Sequence, residues 1–572
     1  MRSSAIAGWV AVAVGGVLVS NAAGEGVVLA PSAISGASVS AKGEPLFSPD
    51  GQMVYVQDKP CCSGERPEFP STYATNVFAR DPQSGTLSSL TCRTASGGTR
   101  CPPDSRALAI SPDGQWLYAL GTVPSVGSAS WLQVFRRDTD GTLTQVQCLV
   151  GLGGEAAQPG CVQPGFPNNL NSMAITSDGA LLYVAGPSPD LLVFARDQSS
   201  GRLTFTDCVA REPQQGAGHP APACREDPTF TARNDQLVVA GRDAYLYSSV
   251  GQRDDAEVVY GYRPDAQTGR LAQTTLTPKY KLGEMAAAPD GLHVYAARGG
   301  TADLVSFPRD PTTGQLGTPT CFPARTGVPG QRSACPGHRT RGTNAITSLA
   351  VSPDGQTIVT SMSSDNLTAG GSPARVPPGG GISEEVVTYS LDGGGTPRAV
   401  GCIGDSNGCA PPLGSTLWIR FPATGPGPYL ATQQQGSPRL RLLAPAPTLH
   451  VHAFSLNGRN PATLSCPGTR AQACRGTVEI TRLSVNGSPV RITSLQRVSY
   501  RVAPGASRRI LLRLNRRSRR SFLAMGRLAQ GGKNPYVAVG TLIRVHDATR
   551  ATTPSGVTAC PQPGIPHVSC IA

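Results

Sequence analysis

Apolar and polar positions alternate with a period of two along most of the chain, in short runs broken by Gly, Pro, Asp and Asn. That is the pattern of half-buried strands joined by tight turns. One phrase recurs, an apolar strand, an S-P-D-G turn and a second apolar strand. It reads LFSPDGQMVYV from Leu46, LAISPDGQWLYAL from Leu108, MAITSDGALLYVA from Met173, MAAAPDGLHVYAA from Met285 and LAVSPDGQTIVTS from Leu349, with a weakened copy, LVVAGRDAYLYSS, from Leu237. A second hairpin phrase follows each: NVFARDPQSGTLSSLTC from Asn76, LQVFRRDTDGTLTQVQC from Leu132, LLVFARDQSSGRLTFTDC from Leu191, VYGYRPDAQTGRLAQTT from Val259, LVSFPRDPTTGQLGTPTC from Leu304 and the looser VVTYSLDGGGTPRAVGC from Val386. Two hairpins per unit make four strands. Such units at regular spacing predict the blades of a β-propeller, because one blade cannot bury both faces and must stack on its neighbours. The segment from Leu417 to Leu443 supplies a further unit, whose missing strand would come from Val27 to Ser40. The reading is a seven-bladed propeller closed by both ends of that region, with six or eight blades as the alternatives.

The S-P-D-G-x-x-x-Y-V-A and F-x-R-D-x-x-T-G-x-L phrases, with their Cys-bounded loops, resemble those of the lactonase-like propeller family. They are closest in kind to its secreted, actinobacterial-type members with YVTN-like repeats, and the family is named for the propeller form of 6-phosphogluconolactonase. The resemblance spans about Leu46 to Leu443 and implies a seven-bladed fold. Both phrases are scaffold turns, so no catalytic residue of the family carries over to a numbered position here.

After the Pro-rich joint at Ala444 to Pro447, six or so alternating strands predict an immunoglobulin-like sandwich, so the fold class is all-β. The first residues, with Arg2, an apolar stretch from Ala5 to Ser20 and small residues at Asn21-Ala22-Ala23, have the form of a secretory signal. The expected organisation is a signal peptide over 1–23, a propeller over 24–446 and a basic sandwich over 447–572. A secreted or envelope-associated protein with no membrane span follows from it.

Cysteine usage agrees with an oxidising compartment, since the 16 Cys fall largely into local pairs. Proximity pairs Cys92 with Cys101, Cys148 with Cys161, Cys208 with Cys224, Cys321 with Cys335, Cys402 with Cys409, Cys466 with Cys474 and Cys560 with Cys570. The adjacent Cys61 and Cys62 are left without an assigned pairing. No C-x-x-C occurs, which turns the reading from zinc toward disulfides.

Propeller geometry then sorts the loops. The short S-P-D-G and R-D-x-x-T-G turns share one end of the blades, and the long, Cys-bounded connections share the other. On that second face the innermost strands bring Asp104, Arg106, Asn169, Asn171, Asp235, Glu284, Arg298 and Asn344 to the channel mouth. Such a mixture suits a carbohydrate or another small molecule, or a lactone carbonyl with a carboxylate activating water. No G-x-S-x-G, H-E-x-x-H or P-loop is present. No cofactor is predicted; a divalent metal in the channel stays open, and His450 with His452 would share a strand face but lack a third ligand.

Charge changes the picture in one place. Residues from Pro447 onward carry 17 Arg and Lys533 against Glu479 and Asp547, which is 18 − 2 = +16, whereas the chain as a whole is +13. The basic run Arg508, Arg509, Arg513, Arg516, Arg517, Arg519 and Arg520 is expected to span a strand and the turn after it and to hold an anionic cell-envelope polymer. Nucleic acid is disfavoured by secretion and by the lack of interleaved aromatics. Two functional classes remain: an extracellular binding or display protein, and a secreted hydrolase of sugar lactones or related esters.

Overall fold

The computed structural model describes residues 29–31, 45–58, 74–81, 85–92, 99–103, 105–122, 129–152, 160–186, 190–210, 224–227, 230, 234–248, 258–277, 282–298, 303–322, 345–363, 384–404, 415–422, 429–434, 437–445, 448–451, 460–466, 473–486, 491–512, 516, 520, 537–547 and 552–555. They are almost entirely strand, and no helix among them is long and apolar enough to cross a membrane. The chain divides into two compact units, one of residues 34–399 and 413–442, the other of 1–33, 400–412 and 443–572.

Strand β1 (Leu29–Pro31) pairs with a strand late in the chain and is taken up there. Six sheets follow in chain order. They are β2 (Pro45–Phe47), β3 (Met53–Asp58), β4 (Ala74–Arg80), β5 (Leu87–Ser89); β6 (Ala107–Ile110), β7 (Trp116–Thr122), β8 (Ser130–Arg137), β9 (Leu143–Val150); and β10 (Ser172–Ile175), β11 (Leu181–Gly186), β12 (Asp190–Arg196), β13 (Leu203–Ala210), with β14 (Arg225–Glu226) added in parallel. The other three are β15 (Asn234–Ala240), β16 (Asp243–Ser248), β17 (Val258–Pro264), β18 (Leu271–Leu276); β19 (Leu282–Ala287), β20 (His293–Arg298), β21 (Leu304–Pro308), β22 (Thr320–Phe322); and β23 (Ala345–Val351), β24 (Thr357–Ser363), β25 (Glu384–Leu391), β26 (Pro397–Gly404). Each meanders, so every strand pairs with the one before it, as two successive hairpins require. These six sheets are propeller blades. The first strands of successive blades lie side by side, β2 by β6, β6 by β10, β10 by β15, β15 by β19 and β19 by β23, and therefore line the axis.

One more sheet has the order β1, β29 (Ser437–Pro445), β28 (Tyr429–Gln434), β27 (Ser415–Arg420). β27 lies beside β23, continuing the series of first strands, and β1 pairs antiparallel with β29 through Leu29↔Pro445 to Pro31↔Leu443.

The repeated residues meet between blades. Arg196, at the end of β12, is buried and donates through Nη2 to Asp113 Oδ2 of the preceding blade at 2.9 Å, through Nε to Tyr118 Oη at 2.6 Å and through Nη1 to the Gly179 carbonyl of its own turn at 3.0 Å. Tyr118 Oη in turn donates to the Gly201 carbonyl at 3.0 Å. The same residues recur where Arg137 reaches Asp50 (3.0 Å) and the Gly114 carbonyl (3.0 Å). Arg309 likewise reaches Asp243, Tyr245 Oη (3.0 Å) and the Gly291 carbonyl (2.6 Å). The clasp needs a close approach: Gly201 has φ +67° and a Cβ there would stand 2.2 Å from the Trp116 ring.

The fourth blade departs from the phrase and compensates. Its A-B turn shrinks to Gly241-Arg242, so no turn Asp exists; fully buried Asp243, one strand residue later, accepts Arg309 and Arg263 instead. Arg242 itself reaches back to Asp178 at 2.9 Å, and Tyr183 Oη donates to the Arg242 carbonyl at 2.6 Å.

The second unit holds the remaining strands. One sheet is β30 (Thr448–Val451), β31 (Asn460–Ser465), β34 (Ser507–Leu512); the other is β33 (Arg491–Val502), β32 (Cys474–Asn486), β35 (Val537–Asp547), β36 (Thr552–Ser555). The Cys466–Cys474 disulfide joins the end of β31 to the start of β32 and so ties the sheets, over buried Leu464, Val478, Tyr500 and Leu512. Cys92–Cys101, Cys148–Cys161 and Cys208–Cys224 are also formed. Cys321 is disulfide-bonded, and its expected partner Cys335 lies outside the described residues, as do Cys409, Cys560, Cys570, Cys61 and Cys62. Cys402 sits in β26.

Replacing Arg196 by Ala strands Tyr118 and the Gly179 carbonyl and removes the partner of Asp113. The expected loss is about 3–5 kcal/mol, read by denaturant unfolding followed through Trp fluorescence; Asp113→Asn, whose carboxylate is partly exposed, should cost clearly less. Equal losses, or none, would contradict the clasp.

Candidate functional site

The expected channel mouth is the place where the chain enters each first strand. In the third blade Phe166 is fully buried and packs edge-on to Phe194, with ring centroids 5.8 Å apart, which anchors the connection before β10. Asn168 then ties that connection to the neighbouring blade: its Oδ1 accepts from Ser130 N at 3.2 Å and its Nδ2 donates to the Leu152 carbonyl at 2.7 Å, while Leu170 N donates to Ser130 Oγ at 3.0 Å. Held at both ends, Asn169 adopts φ +61°, the one non-glycine residue in the left-handed region among those described. Its Oδ1 accepts from Arg106 Nη1, at the entrance to β6, at 3.3 Å. Arg106 Nε is buried with no hydrogen-bond partner among the described residues.

Arg106 and Asn169, both expected at the mouth, are thus brought together across two blades. Asn171 is exposed beside them and its N–H donates to the Ala185 carbonyl at 2.9 Å. Asp235 is the second residue of β15 and Glu284 the third of β19, and both fall where the strand slips register against its neighbour, between Asn234 and Gln236 and between Leu282 and Met285. The same slip recurs in β23 between Ile346 and Ser348 and in β27 between Thr416 and Trp418. Irregularities of this kind re-aim side chains and gather next to functional sites. Glu284 is half-buried. Arg298 closes β20 and pairs in register with Leu282. Asp104 and Asn344 lie outside the described residues.

A residue not singled out from the sequence stands nearby. Asp190, the first residue of β12, is 2% exposed and pairs with Gly186, where a Cβ would come within 2.7 Å of the Asn169 carbonyl. Burial pushes the Asp190 carboxyl up to about 6. Asp303 holds the equivalent place before β21 and is also buried. The signal was present, an acidic residue opening the DLLVF and DLVSF strands, but a carboxylate there reads as a loop residue until the strand start is known to be covered.

In the second unit Arg508 and Arg509 are exposed on β34. The strand is described to Leu512; Arg513, Arg517 and Arg519 lie outside the described residues. Arg516 and Arg520 are helical and exposed where a turn was expected. Among the described residues no group of three or more His, Cys, Asp or Glu is arranged to hold a metal; His450 is in β30 and His452 lies outside them.

A family model for the WD domain, G-beta repeat, matches residues 331–368, a stretch that includes β23 and β24. No curated protein matches the chain. Similar solved structures include a candidate 6-phosphogluconolactonase of Bacteroides fragilis, 17% identical, covering 66% of this chain and 94% of its own with a TM-score of 0.37. The periplasmic gluconolactonase of Pseudomonas aeruginosa is 17% identical over 49% of this chain and 85% of its own, with a TM-score of 0.29. Hydrazine synthase of Kuenenia stuttgartiensis is 11% identical over 69% and 94%, with a TM-score of 0.38. Overlays this loose assign neither activity nor substrate.

The Asp190 carboxyl generates a pH test. Its folded pKa lies above the ordinary 3.8, so the folded state favours the protonated form and loses stability as pH rises from about 4 through about 6. Asp190→Asn removes that titration. The variant should gain on the parent progressively between pH 4 and pH 7, by up to roughly 3 kcal/mol, in urea unfolding at each pH; a difference independent of pH would count against it.

Proposed function

We propose that the protein is a secreted, lactonase-like propeller of seven blades that binds a small oxygen-rich ligand, of the sugar or sugar-acid class, at its channel mouth. An Ig-like basic domain retains it on an anionic polymer of the cell envelope. The seventh blade is the sheet of β27, β28, β29 and β1, a reading supported by β27 continuing the series of first strands. Secretion rests on the form of the first residues and is compatible with the disulfides.

The observation that carries the ligand reading is the meeting of Arg106 and Asn169 on a positive-φ backbone, in the same series of strand entrances as Asp235 and Glu284. Backbone held in a sparsely populated region needs support from its surroundings, and such residues gather at ligand sites. A guanidinium with an unused N–H beside an amide offers donors to a carbonyl, hydroxyl or carboxylate oxygen. The register slip at Glu284 favours a second reading, hydrolysis of a sugar lactone, in which that carboxylate would activate water while Arg106 polarises the carbonyl.

The test uses the purified mature chain, with calorimetric binding to a panel of monosaccharides, uronic acids and aldonolactones, and lactone hydrolysis with and without divalent metal. Arg106→Ala and Glu284→Gln are each expected to weaken binding at least tenfold while leaving the melting temperature nearly unchanged. Turnover abolished by Glu284→Gln would favour the hydrolase. Ligand affinity indifferent to both changes would overturn the site.

A further inference from the structure

Three arginines of the second unit stand together, and among the described residues none of them is ion-paired to a carboxylate. Arg475 on β32 and Arg501 on β33 are direct cross-strand partners, and both are exposed. Like charges placed directly opposite destabilise a strand pair, so the arrangement is costly on folding grounds alone. Arg508 comes from the other sheet and rests its Nη1 on the Arg501 carbonyl at 3.5 Å, which adds a third guanidinium. The outward face of β33 continues through exposed Ser499 to Arg497, while Tyr500 and Val502 point into the core.

From Pro447 onward the acidic residues are Glu479 and Asp547, and Asp547 ends β35 in register with Gly476. Glu479 is buried and already accepts from Arg497 through Nε and Nη2, each at 3.0 Å, and Arg544 lies across from it on β35. Glu479 is therefore committed to Arg497, and Arg475, Arg501 and Arg508 face solvent as a concentrated positive field.

We infer that Arg475, Arg501 and Arg508 form an oxyanion-binding surface whose occupant is a phosphate-bearing polymer. Several guanidiniums can share one phosphate, which offers more acceptor oxygens than a carboxylate engaged by a single Arg fork. The described residues of this unit expose no Phe, Tyr or Trp on which bases could stack, which turns the reading away from single-stranded nucleic acid. The inference rests on the proposed envelope retention and moves its contact from the Arg516 to Arg520 stretch to the sheet face.

The experiment measures binding of the full mature chain to long-chain inorganic polyphosphate between 50 and 200 mM salt. It compares a triple variant, Arg475→Gln, Arg501→Gln and Arg508→Gln, with a quadruple variant, Arg516→Gln, Arg517→Gln, Arg519→Gln and Arg520→Gln. The triple variant is expected to lose at least tenfold in affinity and to lower the slope of log affinity against log salt by about 2. It should melt no lower than the parent, because a repulsive pair has been removed. Loss confined to the quadruple variant would overturn this inference and leave retention standing; a parent chain that does not bind would overturn both. Tighter binding to polygalacturonate or to duplex DNA than to polyphosphate would overturn the choice of occupant.

Discussion

The contact on which the propeller depends is the reach of an arginine from the C-D hairpin of the second, third and fifth blades into the blade before it. Main-chain ladders hold each blade together, whereas neighbouring blades meet through side chains that reach each other or a turn carbonyl. Arg196 satisfies a turn carbonyl of its own blade and a tyrosine and an aspartate of the preceding one, so a single guanidinium, largely out of water, fixes the spacing and the angle of two sheets at once. The carboxylates respond accordingly. Burial alone would raise Asp113, yet hydrogen bonds from Ser111, Gln115 N–H and Arg196, with the Arg196 charge, hold it below its ordinary value. The same balance lowers Asp50. A group depressed in this way contributes stability at neutral pH that is lost as pH falls through the carboxylate range, so acid should loosen the seams between blades before the blades themselves.

This arrangement explains why the blade pattern could be read from the residues and why its purpose could not. Alternation and turn chemistry are local, and the six blades follow from them with strand boundaries close to the repeated phrases. The Asp of S-P-D-G and the Arg of F-x-R-D looked like turn residues because each phrase, taken alone, is a complete hairpin. They matter through partners 83 residues apart in the chain. The fourth blade shows the constraint from the other side: when the turn Asp is lost, a strand residue, Asp243, takes over the arginine, so it is the interaction and not the motif that is kept.

The mouth was legible in part for a related reason. Counting back from each apolar first strand puts Arg106, Asn169 and Asn171 just ahead of β6 and β10, because the register of a propeller is uniform. It could not foresee that Asp235 and Glu284 would fall on register slips, since an extra residue in a strand leaves no mark in a period-two pattern. Nor could it foresee Asp190, whose raised pKa comes from burial rather than from any motif.

The two units place charge by opposite rules, and that contrast bears on what each does. In the propeller the buried arginines Arg137, Arg196 and Arg309 are engaged by aspartates and carbonyls, so their positive charge is spent on the scaffold. Among the described residues of the second unit, Glu479 meets Arg497, while Arg475, Arg501 and Arg508 are exposed, with Arg475 and Arg501 set directly opposite each other. A sheet gains nothing from that repulsion, whereas an anion laid across Arg475, Arg501 and Arg508 would turn it into attraction. A surface that is unfavourable alone and favourable when covered acts as a binding face, and its binding should weaken steeply with salt because the screening length shortens as ionic strength rises.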